Sequence, residues 1–344
     1  MKITNCQKSP LSIKAEISGY RHRSVTCLDW LQMDSRGTIQ ISEKYPIKDT
    51  YKSTLVFKKL YEIHNHNFYV ASLVSQPIAS FLPRDLNLIK MLNKELYYYR
   101  PCFRLNTIIH EIGLLPLQPS RIDLAIDFNH FAYGFKPETL IYNFFNNKFL
   151  KVGMTNYIIN GNQEKFNKTH YLKFTKKDCN VDVYLYNKSK ELREVKNKPW
   201  IAEMWKRAGL DLSKDVWRLE FSLHNPRFIV RDNVTGITDR FNWLMLDNKE
   251  YLNTVIYSLI NKYFDFRRNT YIKDRKAMPK VKLFMGINDT TITWDRSASM
   301  VSNKADKLFL KKLGLLNDEV REIYTDIEKD TNSVINYFKI TRGL

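Results

Sequence analysis

Cysteine is scarce in this chain and never paired in sequence. Cys6, Cys27, Cys102 and Cys179 are scattered, with no CxxC pair and no clustering with histidine. That spacing argues against a zinc site and a disulfide framework, and it fits a reducing, cytoplasmic setting. No apolar run approaches the roughly 18 residues of a membrane span. The stretch from Met1 to Lys8 lacks the apolar segment of a secretory signal. No glycine-rich phosphate loop occurs, which sets ATP hydrolysis aside. Acidic residues are outnumbered, 36 Asp and Glu against 55 Lys and Arg, for a net charge of +19.

Such an excess repels itself unless an anionic partner absorbs it. Nucleic acid is the commonest partner of this kind; anionic membrane surfaces and ribosomes are others. The hydrophobic share of 44% and aromatic share of 13% describe a globular chain, and 344 residues suffice for two ordinary domains.

Residues 24–31 alternate like a strand, and Gly37–Ile41 reads as its partner. Thr54–Ile63 and Phe68–Val74 flank the polar turn His64-Asn65-His66-Asn67, the pattern of a hairpin. Asp85 reads as the cap of a helix carrying Leu88, Leu92 and Leu96 on one face, with Ile89 beside them. Further on, the pattern gives a strand at Ser120–Phe128 and a helix opening at Pro137, with Leu140, Ile141, Phe144 and Phe145 facing a core. Strands follow at Tyr157–Ile159, His170–Phe174, Val181–Asn187 and Val216–Leu223, with a helix over Pro199–Ala208 stopped by Gly209. Helices are expected over Tyr251–Phe264, over Lys304–Leu313, and after Asn317 along Val320, Ile323, Tyr324 and Ile327. The expected class is α+β: two related antiparallel-sheet halves with packed helices, at 1–115 and 116–248, the second catalytic, and a mainly helical C-terminal extension at 249–344.

Three of these strands are polar on one side only. Arg121, Asp123 and Asp127 alternate with Ile122, Leu124 and Ile126; Tyr184, Tyr186 and Lys188 share a parity; Arg218 and Glu220 alternate with Trp217, Leu219 and Phe221. One such strand is an ordinary solvent-facing strand. Three sharing one sheet face gather carboxylates, arginines, a lysine and tyrosines within a few strand spacings, roughly 7 Å along and 4.8 Å across. The set could surround a phosphate and a metal ion. A free phenol titrates near pH 10, so a tyrosine nucleophile is under about 1% ionised at neutral pH and needs help from a neighbour such as Lys188 or from a metal. Asp123, Asp127 and Glu220 offer the oxygen ligands that Mg²⁺ or Mn²⁺ prefer. Tyr184, on the same face, is the alternative nucleophile.

Arg121-Ile122-Asp123-Leu124-Ala125-Ile126-Asp127 resembles the R-[IL]-D-x-[AT]-x-D strand of the Rep_trans family of rolling-circle replication initiation factors. The run from Tyr171 to Lys188 is similar to that family's hairpin ending in a Y-[DN]-K triplet. Trp217-Arg218-Leu219-Glu220 resembles its W-x-R-x-E-type strand, and Leu28-Asp29-Trp30-Leu31 its early D-W-L strand. The motifs stand in the family's order over about residues 25–225. The resemblance implies a metal-dependent tyrosine nicking-joining endonuclease that holds one DNA strand through a 5′ phosphotyrosine. Carried over position by position, it makes Tyr186, Lys188, Arg218 and Arg121 catalytic and Asp123, Glu220 and Asp127 metal-binding, with Mg²⁺ or Mn²⁺. The implied partners are single-stranded or hairpin origin DNA and a host helicase, with a homodimer allowed and no membrane. Conjugative relaxases share the chemistry; a non-catalytic DNA-binding or copy-control protein and a water-using nuclease are the other classes. Independently, Lys262–Lys276 interleaves aromatic and basic residues, Arg267, Arg268, Lys273, Arg275 and Lys276 among them, in a pattern suited to DNA.

Overall fold

A computed structural model describes residues 15–294, apart from 18–19, 55, 79, 81, 155, 161–170, 176–178, 233–235, 237 and 286–289. The helices expected over Lys304–Leu313 and after Asn317, and residue His170, lie outside the described residues. The chain is α+β, with helices and predominantly antiparallel strands. It divides into two compact units. Within the described residues, the first draws on the chain up to Asp29, on Asp123–Leu223 and on Ile229–Thr293; the second draws on Trp30–Ile122 and His224–Phe228. No helix among the described residues is long and apolar enough to cross a membrane.

In the first unit, strands Asn156–Asn160, Tyr171–Thr175, Val181–Asn187 and Trp217–His224 pair antiparallel in that order. The Asp123–Phe128 part of the strand Leu115–Phe128 follows Trp217–His224 in the sheet. Alternation sorts apolar from polar side chains, but the polar face is buried as well, with Asp123, Asp127, Arg218 and Glu220 at 2, 0, 0 and 3% exposure. Ile122, Leu124, Ile126, Leu172, Phe174, Val183, Leu185, Leu219 and Phe221 are buried. Phe174 meets Phe144, Phe264 and Phe266 at ring separations of 5.7, 6.4 and 5.8 Å, largely edge-on, a geometry that aromatic quadrupoles favour. Helix Pro137–Phe145 starts at its proline and buries Leu140 and Ile141, while Phe144 and Phe145 are half-buried. Helix Pro199–Ala208 ends at Gly209, whose left-handed φ of 73° suits a residue without Cβ. Asn248 caps helix Lys249–Tyr263, accepting from the Glu250 and Tyr251 amides.

The second unit contains the hairpin Phe57–Asn65 and Phe68–Pro77, turned at His66 (φ 52°), as the His64–Asn67 segment predicted. Two expectations fail here. The Asp85 helix is instead a strand, Leu86–Met91. Leucines four apart satisfy a period of two as well as a helical one; Asn87, Ile89 and Met91 are buried on one face, and Leu86 on the other packs with Val56, Phe57 and Val74. On one edge the strand Ser24–Arg36 pairs with this Leu86–Met91 strand, with Gln32 opposite Lys90. The Gly37–Ile41 segment is not a strand, because the chain turns away at Gly37 with φ +121°. Asn87 fixes that exit by donating to the Gly37 and Asp85 carbonyls at 3.0 and 2.9 Å. Pro116 and Pro119 lie within the strand Leu115–Phe128.

Candidate active site

The chain passes directly from strand Val181–Asn187 into helix Lys188–Glu194, an element the sequence reading missed. Asn187 makes that possible: its side-chain oxygen accepts from the Lys190 amide, and its amide nitrogen donates to Asp215 at 2.7 Å. Lys188 therefore occupies the first position of a helix whose end repels cations. Glu191, one turn on, offsets this with an ion pair of 2.5 Å.

Register supplies the rest. Tyr186 stands opposite Arg218, Tyr184 opposite Glu220, and Asp182 opposite Ser222, so all six share one face. The Tyr186 hydroxyl donates to Glu220 Oε2 at 2.7 Å, and Lys188 Nζ donates to the same hydroxyl at 3.3 Å. Arg218 is fully buried and grips Asp127 with two prongs, Nε to Oδ1 at 2.6 Å and Nη2 to Oδ2 at 2.8 Å. Its Nη1 lies 2.8 Å from Asp29 and 4.0 Å from Glu220. Trp205, on helix Pro199–Ala208, donates its indole N–H to Asp127 Oδ2 at 2.7 Å. Ser222 donates to Asp123 Oδ1 at 2.7 Å.

Electrostatics follow from this packing. Burial and then Glu220 push the Tyr186 phenol well above its ordinary value, against the pull of Arg218. The site thus holds a neutral phenol with a proton acceptor already bound to it, instead of the standing phenolate that Lys188 was expected to favour. Burial and Arg218 pull the Lys188 ammonium down, but Asp29, Glu191 and Glu220 outweigh them and leave it raised. Burial lowers nearby Lys198. Cys27, 3.7 Å from Arg218 Nη2, is pushed up to about 12 by burial and stays a thiol.

The expected site residues thus fall into three groups. Tyr186, Lys188, Arg218 and Glu220 come together. Asp123 and Asp127 lie on the same face but have other partners. Arg121 belongs to the second unit, where its guanidinium lies 4.5 Å from the Trp30 ring centroid. The Mg²⁺ or Mn²⁺ expectation meets a donor set that does not fit it. Asp127 is held by Arg218 and Trp205, Asp123 by Ser222, and Glu220 by Tyr186. Among the described residues, no three of His, Cys, Asp and Glu converge as a metal-binding group.

Of the basic residues expected to meet DNA, Arg267 is committed elsewhere. It pairs with Asp265 at 2.8 Å and donates to the Lys276 and Met278 carbonyls at 3.0 Å each, clamping its own loop. Arg268, Lys273, Arg275 and Lys276 are exposed.

No protein family matches the chain. No curated protein matches either. Among solved structures, this chain is similar to the rolling circle replication initiator protein from Geobacillus stearothermophilus. The two are 13% identical with a TM-score of 0.43, over 75% of this chain and 92% of that one.

Sequence reading missed Asp29, Glu191, Trp205 and Lys198 as members of the cluster. Asp29 carried a signal, being a charge set between Leu28 and Trp30. Glu191 follows Lys188 by one helical turn, which is visible once the helix is known. Trp205 comes from a separate helix, and nothing local announces its partner.

Proposed function

We propose that this chain cuts and rejoins one DNA strand through Tyr186, as a rolling-circle replication initiator does at an origin. The observation that carries the reading is the Tyr186 hydroxyl bound to a carboxylate at 2.7 Å and an ammonium at 3.3 Å, on a half-buried side chain. The Tyr186 oxygen attacks a backbone phosphorus and Glu220 takes the phenolic proton. A phosphorus–oxygen bond to tyrosine forms, and the bond to the 3′ oxygen breaks. That oxygen takes a proton from water and leaves as a 3′ hydroxyl, which can prime synthesis. Lys188 and Arg218 offset the negative charge that accumulates on the phosphoryl oxygens. The phosphotyrosine linkage retains the energy for rejoining.

The motif order along the sequence supports an initiator, with a conjugative relaxase sharing the same chemistry. The net charge of +19 supports a nucleic-acid substrate. The test uses labelled single strands tiling the DNA that carries this coding sequence, incubated with the protein and resolved by denaturing electrophoresis. A labelled species retarded by covalent protein and lost on proteolysis is expected. Binding without any retarded species identifies a non-catalytic binding protein. Cut strands without adduct identify a water-using nuclease.

A further inference from the structure

The second unit holds a second set of converging donors that the Tyr186 chemistry does not use. Trp30, Gln32 and Asp34 share one face of the strand Ser24–Arg36, since side chains alternate. Lys90, opposite Gln32 on the neighbouring strand, places its Nζ 3.4 Å from the Trp30 ring centroid. Arg121 places its guanidinium carbon 4.5 Å from the same centroid. Both cations therefore lie against one indole. The ring's negative faces hold the two like charges together. Arg121 is only 8% exposed, so its charge is largely shielded from water.

The Trp30 indole N–H supplies an independent observation. It is buried and finds no hydrogen-bond partner among the described residues. Buried donors are nearly always satisfied, and one left unmade costs free energy that calls for an explanation. A donor beside an ammonium and a guanidinium asks for an oxyanion. Burial pushes the Asp34 carboxyl, on this strand face, up to about 6, against its hydrogen bond to Ser120 and the charge of Arg227, so it is partly neutral near pH 6. Gln32 is likewise turned to Ser120, donating at 3.2 Å.

We propose that Trp30, Lys90 and Arg121 form a phosphodiester-binding site that holds a non-scissile phosphate of a single DNA strand. The site rests on the reading that DNA is the substrate. Because the Trp30 N–H is covered by its neighbours, a phosphate oxygen takes up the unmade hydrogen bond as they move aside. Arg121, which the motif resemblance would make catalytic, is thereby a substrate-holding residue.

The test measures binding of a fluorescein-labelled 15-nucleotide oligo-dT by anisotropy over a salt series, alongside covalent adduct formation by the same preparations. Lys90→Ala and Arg121→Ala should each weaken binding about tenfold near 0.1 M salt and lower the salt slope by about one. Trp30→Phe, which keeps a ring and removes the N–H, should weaken binding several-fold with the slope unchanged. Arg121→Lys and Lys90→Arg keep the charge and should retain the wild-type slope, which separates lost charge from a damaged fold. Affinities within twofold of wild type and unchanged slopes for both alanine variants overturn the site, while wild-type adduct formation leaves the Tyr186 reading standing. A wild-type protein that neither binds nor forms an adduct overturns the DNA reading, and this site with it.

Discussion

Glu220 stands opposite Tyr184 across the strand pair, yet its carboxylate takes a hydrogen bond from Tyr186, the next tyrosine on that face. The diagonal bond separates two tyrosines that strand parity leaves equivalent. Tyr184 instead lies with its ring 5.3 Å from Lys173 Nζ and 6.0 Å from Tyr171.

If Glu220 takes the phenolic proton, Glu220→Gln should slow adduct formation by about 10²–10⁴ near pH 7, the range for losing a positioned base. The deficit should narrow towards pH 10. Glu220 is one of the groups that raise the Tyr186 phenol, so its removal lets the phenolate form more readily. Single-turnover rates between pH 6 and 10 check this, and a deficit that widens with pH contradicts it.

Arg218 and Asp127 are both fully shielded from solvent, so neither tolerates losing the other. Arg218→Ala should destabilise the fold by about 3–5 kcal/mol by leaving Asp127 and Asp29 buried without their cation. Urea unfolding monitors the loss. A change below about 1 kcal/mol would show that the cluster is open to water.

Lys151 reports on the aromatic core. It is 2% exposed, donates to the Val152 carbonyl at 2.9 Å, and lies 5.3 Å from the Phe174 ring. Burial brings its amine from 10.5 down to about 7, opposed only in part by Asp265. Between about pH 7 and 10.5 the unfolded chain binds a proton that the folded chain does not, so stability attributable to this group rises with pH across that window. Below pH 7 the full penalty stands. Lys151→Met should therefore stabilise by about 1–3 kcal/mol at pH 6.5, with the gain shrinking by pH 10. Denaturant melts at the two pH values decide it; a pH-independent gain contradicts the assignment.

The carboxylates are already partnered, which sets an expectation for divalent ions. Titration calorimetry of Mn²⁺ into the DNA-free protein should show no saturable binding in the micromolar range. A stoichiometric micromolar site would mean that Asp123, Asp127 and Glu220 rearrange to release their present partners.

Much of the site was legible because strands have a period of two. Polar parity placed Tyr186, Arg218 and Glu220 on one face, and the register confirms that placement. Parity cannot say which partner each group takes, so it could not separate a metal-ligand set from a set of ion pairs. The fold was legible where punctuation is strong, as at Pro137, Pro199, Gly209 and the His66 turn. It failed at Leu86–Met91, where leucines four apart suit both periods and pairing with a distant strand decides. Helix Lys188–Glu194 escaped because it begins on the residue after a strand, with no loop to mark it.

The most direct measurement is mass-spectrometric mapping of the DNA-linked peptide after reaction with single-stranded substrate. The linkage should fall on Tyr186, should vanish in Tyr186→Phe, and should persist within about threefold in Tyr184→Phe, whose ring lies against Lys173 and Tyr171. A nucleotide carried by Tyr184 or any other residue, or an adduct that survives Tyr186→Phe, would contradict the account.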